Sequence, residues 1–93
     1  MTPTSSSLLA LAERVEGLTR SDNSIDVLVE VAMFEPDEEY TSIRANDAGT
    51  KVILTGHDRL ERTFWPQDWT MDAEERAATA AALKARAQSG EQA

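Results

Sequence analysis

His57 is the one histidine in a chain of 93 residues, and Asp58 and Arg59 follow it directly. An imidazole beside a carboxylate is a pairing that general-base catalysis uses, so composition leaves a Ser-His-Asp set open. The sequence supplies neither a Gly-x-Ser-x-Gly elbow to expose a nucleophile nor a second histidine for a metal-dependent phosphohydrolase. The three residues read as an exposed turn. Asp47-Ala48-Gly49-Thr50-Lys51 has some of the composition of a phosphate-binding loop, but it lacks the first glycine, the Gly-Lys-Ser/Thr order and a following helix. No cysteine is present, which removes disulfides, thiol nucleophiles and zinc-thiolate sites together and fits a reducing cytosol. No catalytic residue, metal site or cofactor is assigned, and the chain is read as a binding protein rather than an enzyme.

Its carboxylates are the more informative groups. The formal net charge is −8, and the excess is local. Residues 21–50 hold eight acids against Arg44 alone: Asp22, Asp26, Glu30, Glu35, Asp37, Glu38, Glu39 and Asp47. On a helix Asp22, Asp26 and Glu30 share one flank at i, i+4 spacing, and the chain then enters the acidic loop Glu35-Pro36-Asp37-Glu38-Glu39. Such a strip could imitate the charge of nucleic acid and occupy a groove lined with arginine and lysine. The competing reading is an ordinary solvated face. A calcium loop does not fit, because the alternating oxygen ligands and central glycine are missing. Net negative charge also argues against direct contact with nucleic acid or an anionic membrane.

Two apolar groups compete for a binding role. Phe64-Trp65-Pro66-Gln67-Asp68-Trp69 places both tryptophans around a turn, where Trp65 and Trp69 serve either as core packing or as an aromatic anchor for a partner. Val27, Val31 and Phe34 form a second stripe opposite the main apolar face of their helix, which suits either a central helix buried on two sides or a homodimer contact.

The elements that must position these residues follow from periodicity. Residues 1–7 read as a flexible leader ending in a cap at Ser6 or Ser7. Leu8, Leu11, Val15 and Leu18 then recur at helical spacing. Asp22 and its neighbours can cap a second helix in which Ile25, Leu28, Val29, Ala32 and Met33 fit the i, i+3, i+4, i+7, i+8 template. Ile25, Val27, Val29, Val31 and Met33 also alternate, so residues 24–34 admit a strand as the alternative. Pro36 ends the segment in either case. Residues 40–44 and 51–55 flank the turn formers Asn46 to Gly49 and predict a hairpin. Arg59 to Trp65 predicts a third strand, stopped by Pro66. Thr70 or Asp72 can cap a last, alanine-rich helix, with a loose tail at 89–93. The expectation is one α+β domain over 8–88, in which two N-terminal helices, a short antiparallel three-stranded sheet and a C-terminal helix pack as a sandwich. A chain this short buries a modest core, so stability is expected to be modest unless it dimerises. The early apolar run Leu8–Ala12 is too short to cross a membrane and has no basic residue before it, which predicts a cytosolic protein.

The run Leu11-Ala12-Glu13-Arg14-Val15-Glu16, a second helix from Asp26, Tyr40-Thr41-Ser42 and the closing Ala80-Ala81-Ala82-Leu83-Lys84-Ala85-Arg86-Ala87 together resemble small phage and prophage proteins of the phage ABA sandwich type. This chain departs from that pattern in its acidic 35–39 loop and in a shorter aromatic section. The resemblance implies an α/β/α-type sandwich and a phage or prophage origin, and it carries no catalytic residues over. Joined to the local acidity, it leads to an expected function as a phage accessory protein. Such a protein would inhibit a basic, nucleic-acid-handling host protein in the bacterial cytosol, as an anti-CRISPR does. The alternative expectation is a phage structural or assembly protein that self-associates.

Overall fold

The computed structural model describes residues 4–92. Its elements run α1 (Ser5–Glu16), α2 (Asn23–Met33), β1 (Tyr40–Ala45), β2 (Val52–Gly56), β3 (Glu61–Phe64) and α3 (Ala73–Gln92). The chain is thus an α+β fold with a three-stranded antiparallel sheet in the order β1-β2-β3.

α1 starts earlier than its leucine pattern suggests. Thr4 is the cap: its hydroxyl accepts the Ser7 N–H at 3.1 Å, while the Ser7 hydroxyl accepts the Thr4 N–H at 3.1 Å. This reciprocal pair satisfies two of the donors that a helix start leaves open. Within the expected leader of residues 1–7, Ser5 to Ser7 are therefore helical, and residues 1–3 lie outside the described part of the chain. At the other end α3 continues to Gln92, so the expected tail from Ser89 is helical over all but Ala93, which also lies outside the described residues.

α2 is a helix, not a strand. The Asp22 carboxylate caps it by accepting the Ile25 N–H at 3.1 Å, and Phe34 leaves it in extended geometry two residues before Pro36. The core is built by helices: Leu8, Leu11, Ala12 and Val15 of α1 meet Ile25, Val29 and Ala32 of α2 and Ala80, Leu83 and Ala87 of α3. The alanines let α3 lie close against α1, where Ala12 is wholly buried. Leu83 is the one large side chain that α3 commits to this core. Truncating it to alanine removes contacts from all sides at a cost of about 3 kcal/mol.

Among the described residues α2 is the helix that packs extensively on the sheet, against β1 and β2, while α1 and α3 pair with each other. The layers are therefore a helix pair, then α2, then the sheet. Among the described residues no helix other than α2 makes an extended contact with the sheet. Val27, only 1% exposed, and Val52 are buried outside the helical core, on the side of α2 that meets the sheet. This arrangement explains the second apolar stripe of α2. Val27 is inside the chain and cannot form a contact between copies, while Val31 and Phe34 are half-buried.

Both hairpin turns use left-handed backbone. Gly49 (φ 71°) closes the β1–β2 turn, with Asn46 Oδ1 accepting the N–H groups of Thr50 and Lys51. Arg59 (φ 67°) occupies the corresponding place after β2, where glycine would be free of the Cβ penalty.

Candidate functional site

The seven carboxylates of the predicted strip do not form one surface. The spacing places Asp22, Asp26 and Glu30 on a single flank of α2 as anticipated, but that flank faces the segment between β3 and α3 rather than solvent. Asp26 is only 5% exposed, and its Oδ1 accepts the hydroxyl of Thr70, itself fully buried, at 2.8 Å. The same Thr70 hydroxyl accepts the Asp22 N–H at 2.8 Å. One turn further on, Glu30 Oε1 accepts two donors, the Trp69 indole Nε1–H at 2.9 Å and the Gln67 N–H at 3.1 Å.

α3 completes this clasp from the other side. The Thr79 hydroxyl donates to the Trp69 carbonyl at 2.8 Å, and the Arg76 guanidinium donates to the Thr70 carbonyl at 3.0 Å. Asp72 caps α3 by accepting the Glu75 N–H at 2.8 Å, which leaves Thr70 to its role in the clasp. Among the described residues no buried side-chain nitrogen or oxygen is left without a hydrogen-bond partner, those of the 66–72 segment included. Burial pushes the Asp26 carboxyl above its ordinary range; the Thr70 bonds pull it back in part, and the nearby charges of Asp68 and Asp22 push it further up.

The remaining strip residues lie in and beside the loop from α2 to β1. Glu35 pairs with Arg86 of α3 at 2.9 Å, and Arg86 also donates to the Phe34 carbonyl, tying the end of α2 to α3. Asp37 builds the turn. Its Oδ1 accepts the N–H groups of Tyr40 and Glu39 at 2.8 Å each, which holds its carboxyl below the usual range. His57, just after β2, braces the same turn, its Nε2 lying 2.9 Å from the Asp37 carbonyl, which accepts from the ring when that nitrogen carries the proton. Asp58 caps the neighbouring turn through the Leu60 N–H and pairs with Arg62 at 3.1 Å. Its carboxyl is held low first by the Arg62 bond and then by Leu60. Glu38 and Glu39 are exposed and form no ion pair among the described residues, although Glu39 lies near enough to Arg62 to favour its charge.

The two tryptophans part company in the same way. Trp69 packs against the helical core and gives its indole proton to Glu30. Trp65 is 68% exposed, with the Lys51 ammonium over its ring at 4.5 Å.

Among the described residues no group of three or more histidine and carboxylate side chains is placed to hold a metal ion. No helix among them is long and apolar enough to cross a membrane. A mostly apolar cleft of about 340 Å³ lies between α1 and α2 over Leu8, Leu11, Leu28 and Val31, with Arg14 on its lining. Leu28, expected on the core side of α2, is 40% exposed there. Comparison with protein-family models, curated proteins and solved structures finds no match.

Proposed function

We propose that the chain acts by binding a basic surface of a partner protein through the exposed carboxylates of its 35–39 loop, and that it does no chemistry of its own. The observation that supports this most is the pairing of rigidity with exposure. Asp37 and His57 fix the turn, while Glu38 and Glu39 project from it free of ion pairs among the described residues. Fixed charges cost little ordering on contact with arginine and lysine, and they steer association. The partner in this reading is a nucleic-acid-handling protein whose basic groove the loop blocks. That makes the chain an inhibitor of the anti-defence or anti-CRISPR kind, in keeping with the resemblance to phage proteins. The contact set is smaller than the predicted strip: Glu35, Glu38 and Glu39 carry it, with Asp37 as the brace, while Asp22, Asp26 and Glu30 belong to the clasp.

The test is competition with duplex DNA for purified basic-groove defence nucleases at low and high salt. Wild-type chain is expected to displace DNA at low salt and to lose affinity as salt rises. The triple variant E35Q/E38Q/E39Q is expected to bind about tenfold more weakly. Displacement unchanged by the triple variant would rule out the loop as the binding element.

A further inference from the structure

Among the described residues the outer edge of β3 is a sheet edge that no other element pairs with, and its backbone direction can be derived. Gly56 N–H donates to the Leu60 carbonyl at 3.0 Å, which makes Gly56 and Leu60 a hydrogen-bonded pair. In an antiparallel ladder such pairs alternate with non-bonded ones, so Leu54↔Arg62 and Val52↔Phe64 are bonded, and Thr55↔Glu61 and Ile53↔Thr63 are not. The N–H and C=O groups of Glu61 and Thr63 therefore point away from β2, and those of Trp65, the next residue after β3, would follow in the same phase if the strand were extended by one residue. All four residues of β3 are exposed, and large apolar side chains flank it: Leu60 at 59%, Phe64 at 41% and Trp65 at 68%.

Charged side chains commonly protect an edge strand, but here they are already neutralised within the chain. Glu61 pairs with Arg44 at 3.0 Å and Arg62 with Asp58 at 3.1 Å. The opposite edge, β1, is broken by a bulge between Tyr40 and Ser42; β3 has none.

We infer that β3 pairs antiparallel with β3 of a second copy of this chain, centred on Thr63, to form a continuous six-stranded sheet. The register follows from charge. Centring on Glu61 sets two carboxylates side by side, and centring on Arg62 does the same with two guanidinium groups. Centring on Phe64 uses fewer bonds, because it reaches Gln67, whose N–H is already given to Glu30. Centring on Thr63 brings the outward groups of residues 61, 63 and 65 face to face for about six backbone hydrogen bonds. It sets Arg62 beside Phe64 of the second copy and Glu61 beside Trp65. The Lys51 ammonium already stands over Trp65, so the second copy's Glu61 arrives next to a cation. Pro66, which has no N–H, falls at a position that gives none to this ladder.

The interface is independent of the acidic loop, and salt separates the two. Each copy carries a net charge of −8, so dimerisation strengthens as salt screens the repulsion, whereas binding of a basic partner weakens. Sedimentation equilibrium at low and high salt reads the mass directly. The wild-type chain is expected to move from 10.2 kDa toward twice that value with concentration, and at lower concentration in high salt. Thr63→Pro removes an N–H that β2 does not use, and Thr63→Glu sets two carboxylates together on the axis. Each is expected to keep the circular dichroism of the wild type and to weaken the dimer about 30-fold or more. Should one variant fail to fold, the other decides. A wild-type mass of one chain at every concentration, or a dimer that persists in the folded variant, would overturn the proposal.

Discussion

The hydroxyl of Thr70 donates to the carboxylate of Asp26 at 2.8 Å, across 44 positions of sequence, and both side chains are buried. This contact turns the acidic flank of α2 inward and makes it part of the architecture. The same hydroxyl accepts the Asp22 N–H, so one side chain serves the cap of α2 and the flank together. Thr70→Val keeps the shape and removes both bonds. It is expected to cost about 2–3 kcal/mol, because a buried carboxylate and a backbone N–H lose their partner. Thr70→Ser should retain most of the stability. Urea denaturation at neutral pH compares the three chains, and a valine variant as stable as wild type would contradict the assignment.

The buried carboxylate gives a pH dependence with a definite sign. Burial raises the Asp26 carboxyl above its unfolded value, so the folded chain holds that proton more tightly. The group's contribution to stability is therefore present below the ordinary carboxylate range and is lost as pH rises through the raised value. Asp26→Asn keeps an oxygen to accept from Thr70 and has no proton to lose. Relative to wild type, its melting temperature is expected to be equal or higher at pH 7, with the difference shifting toward wild type as pH falls toward 3. A variant whose advantage grows on acidification would reverse the sign.

Asp37 behaves in the opposite sense. Its carboxyl is held low by the Tyr40 and Glu39 N–H groups, so its contribution is present above the ordinary carboxylate range and is lost as pH falls through the lowered value. Hydrogen exchange at the Glu39 and Tyr40 amides is the readout. Protection relative to an unstructured reference should fall on acidification in wild type and be absent at every pH in Asp37→Ala. Equal protection in the two chains would contradict the turn.

These charges show where sequence reasoning was sufficient and where it stopped. The cap at Asp22, the stop at Pro36 and the turn at Asn46–Gly49 are local, each set by residues within a few positions, and the α+β fold follows from them. The orientation of α2 is not local. Its helical template fits Ile25, Leu28, Val29 and Ala32 equally well, yet Leu28 is exposed and Asp26 buried, because the sheet and the 66–72 segment take two other sides of the helix. A carboxylate at i, i+4 spacing reads as solvated until its partner is known, and Thr70 and Trp69 are about forty residues away. The one signal within the sequence was the indole of Trp69, a buried donor that needs an acceptor. The start of α1 was missed for a different reason: Thr4, Ser5, Ser6 and Ser7 are all good caps, and only the Thr4–Ser7 exchange selects one.

The two left-handed turn positions form a matched pair. Gly49→Ala meets no atom within 4 Å, so its cost is the backbone angle alone, about 1 kcal/mol. Arg59 bears the same kind of angle without being glycine, and its side chain forms no ion pair among the described residues. Arg59→Gly is expected to raise stability by about 0.5–1 kcal/mol. Thermal unfolding of both variants checks the pair, and a destabilised Arg59→Gly would show that the guanidinium has a structural role.

The division of the carboxylates into a clasp and a free loop is tested most directly by urea unfolding of Glu30→Ala beside the double variant Glu38→Ala/Glu39→Ala, followed by tryptophan fluorescence. Glu30→Ala strips the acceptor from Trp69 and Gln67 and is expected to lose about 2 kcal/mol, while the loop variant stays within about 0.5 kcal/mol of wild type. A Glu30→Ala chain as stable as wild type, or a loop variant destabilised as much as it, would contradict the division.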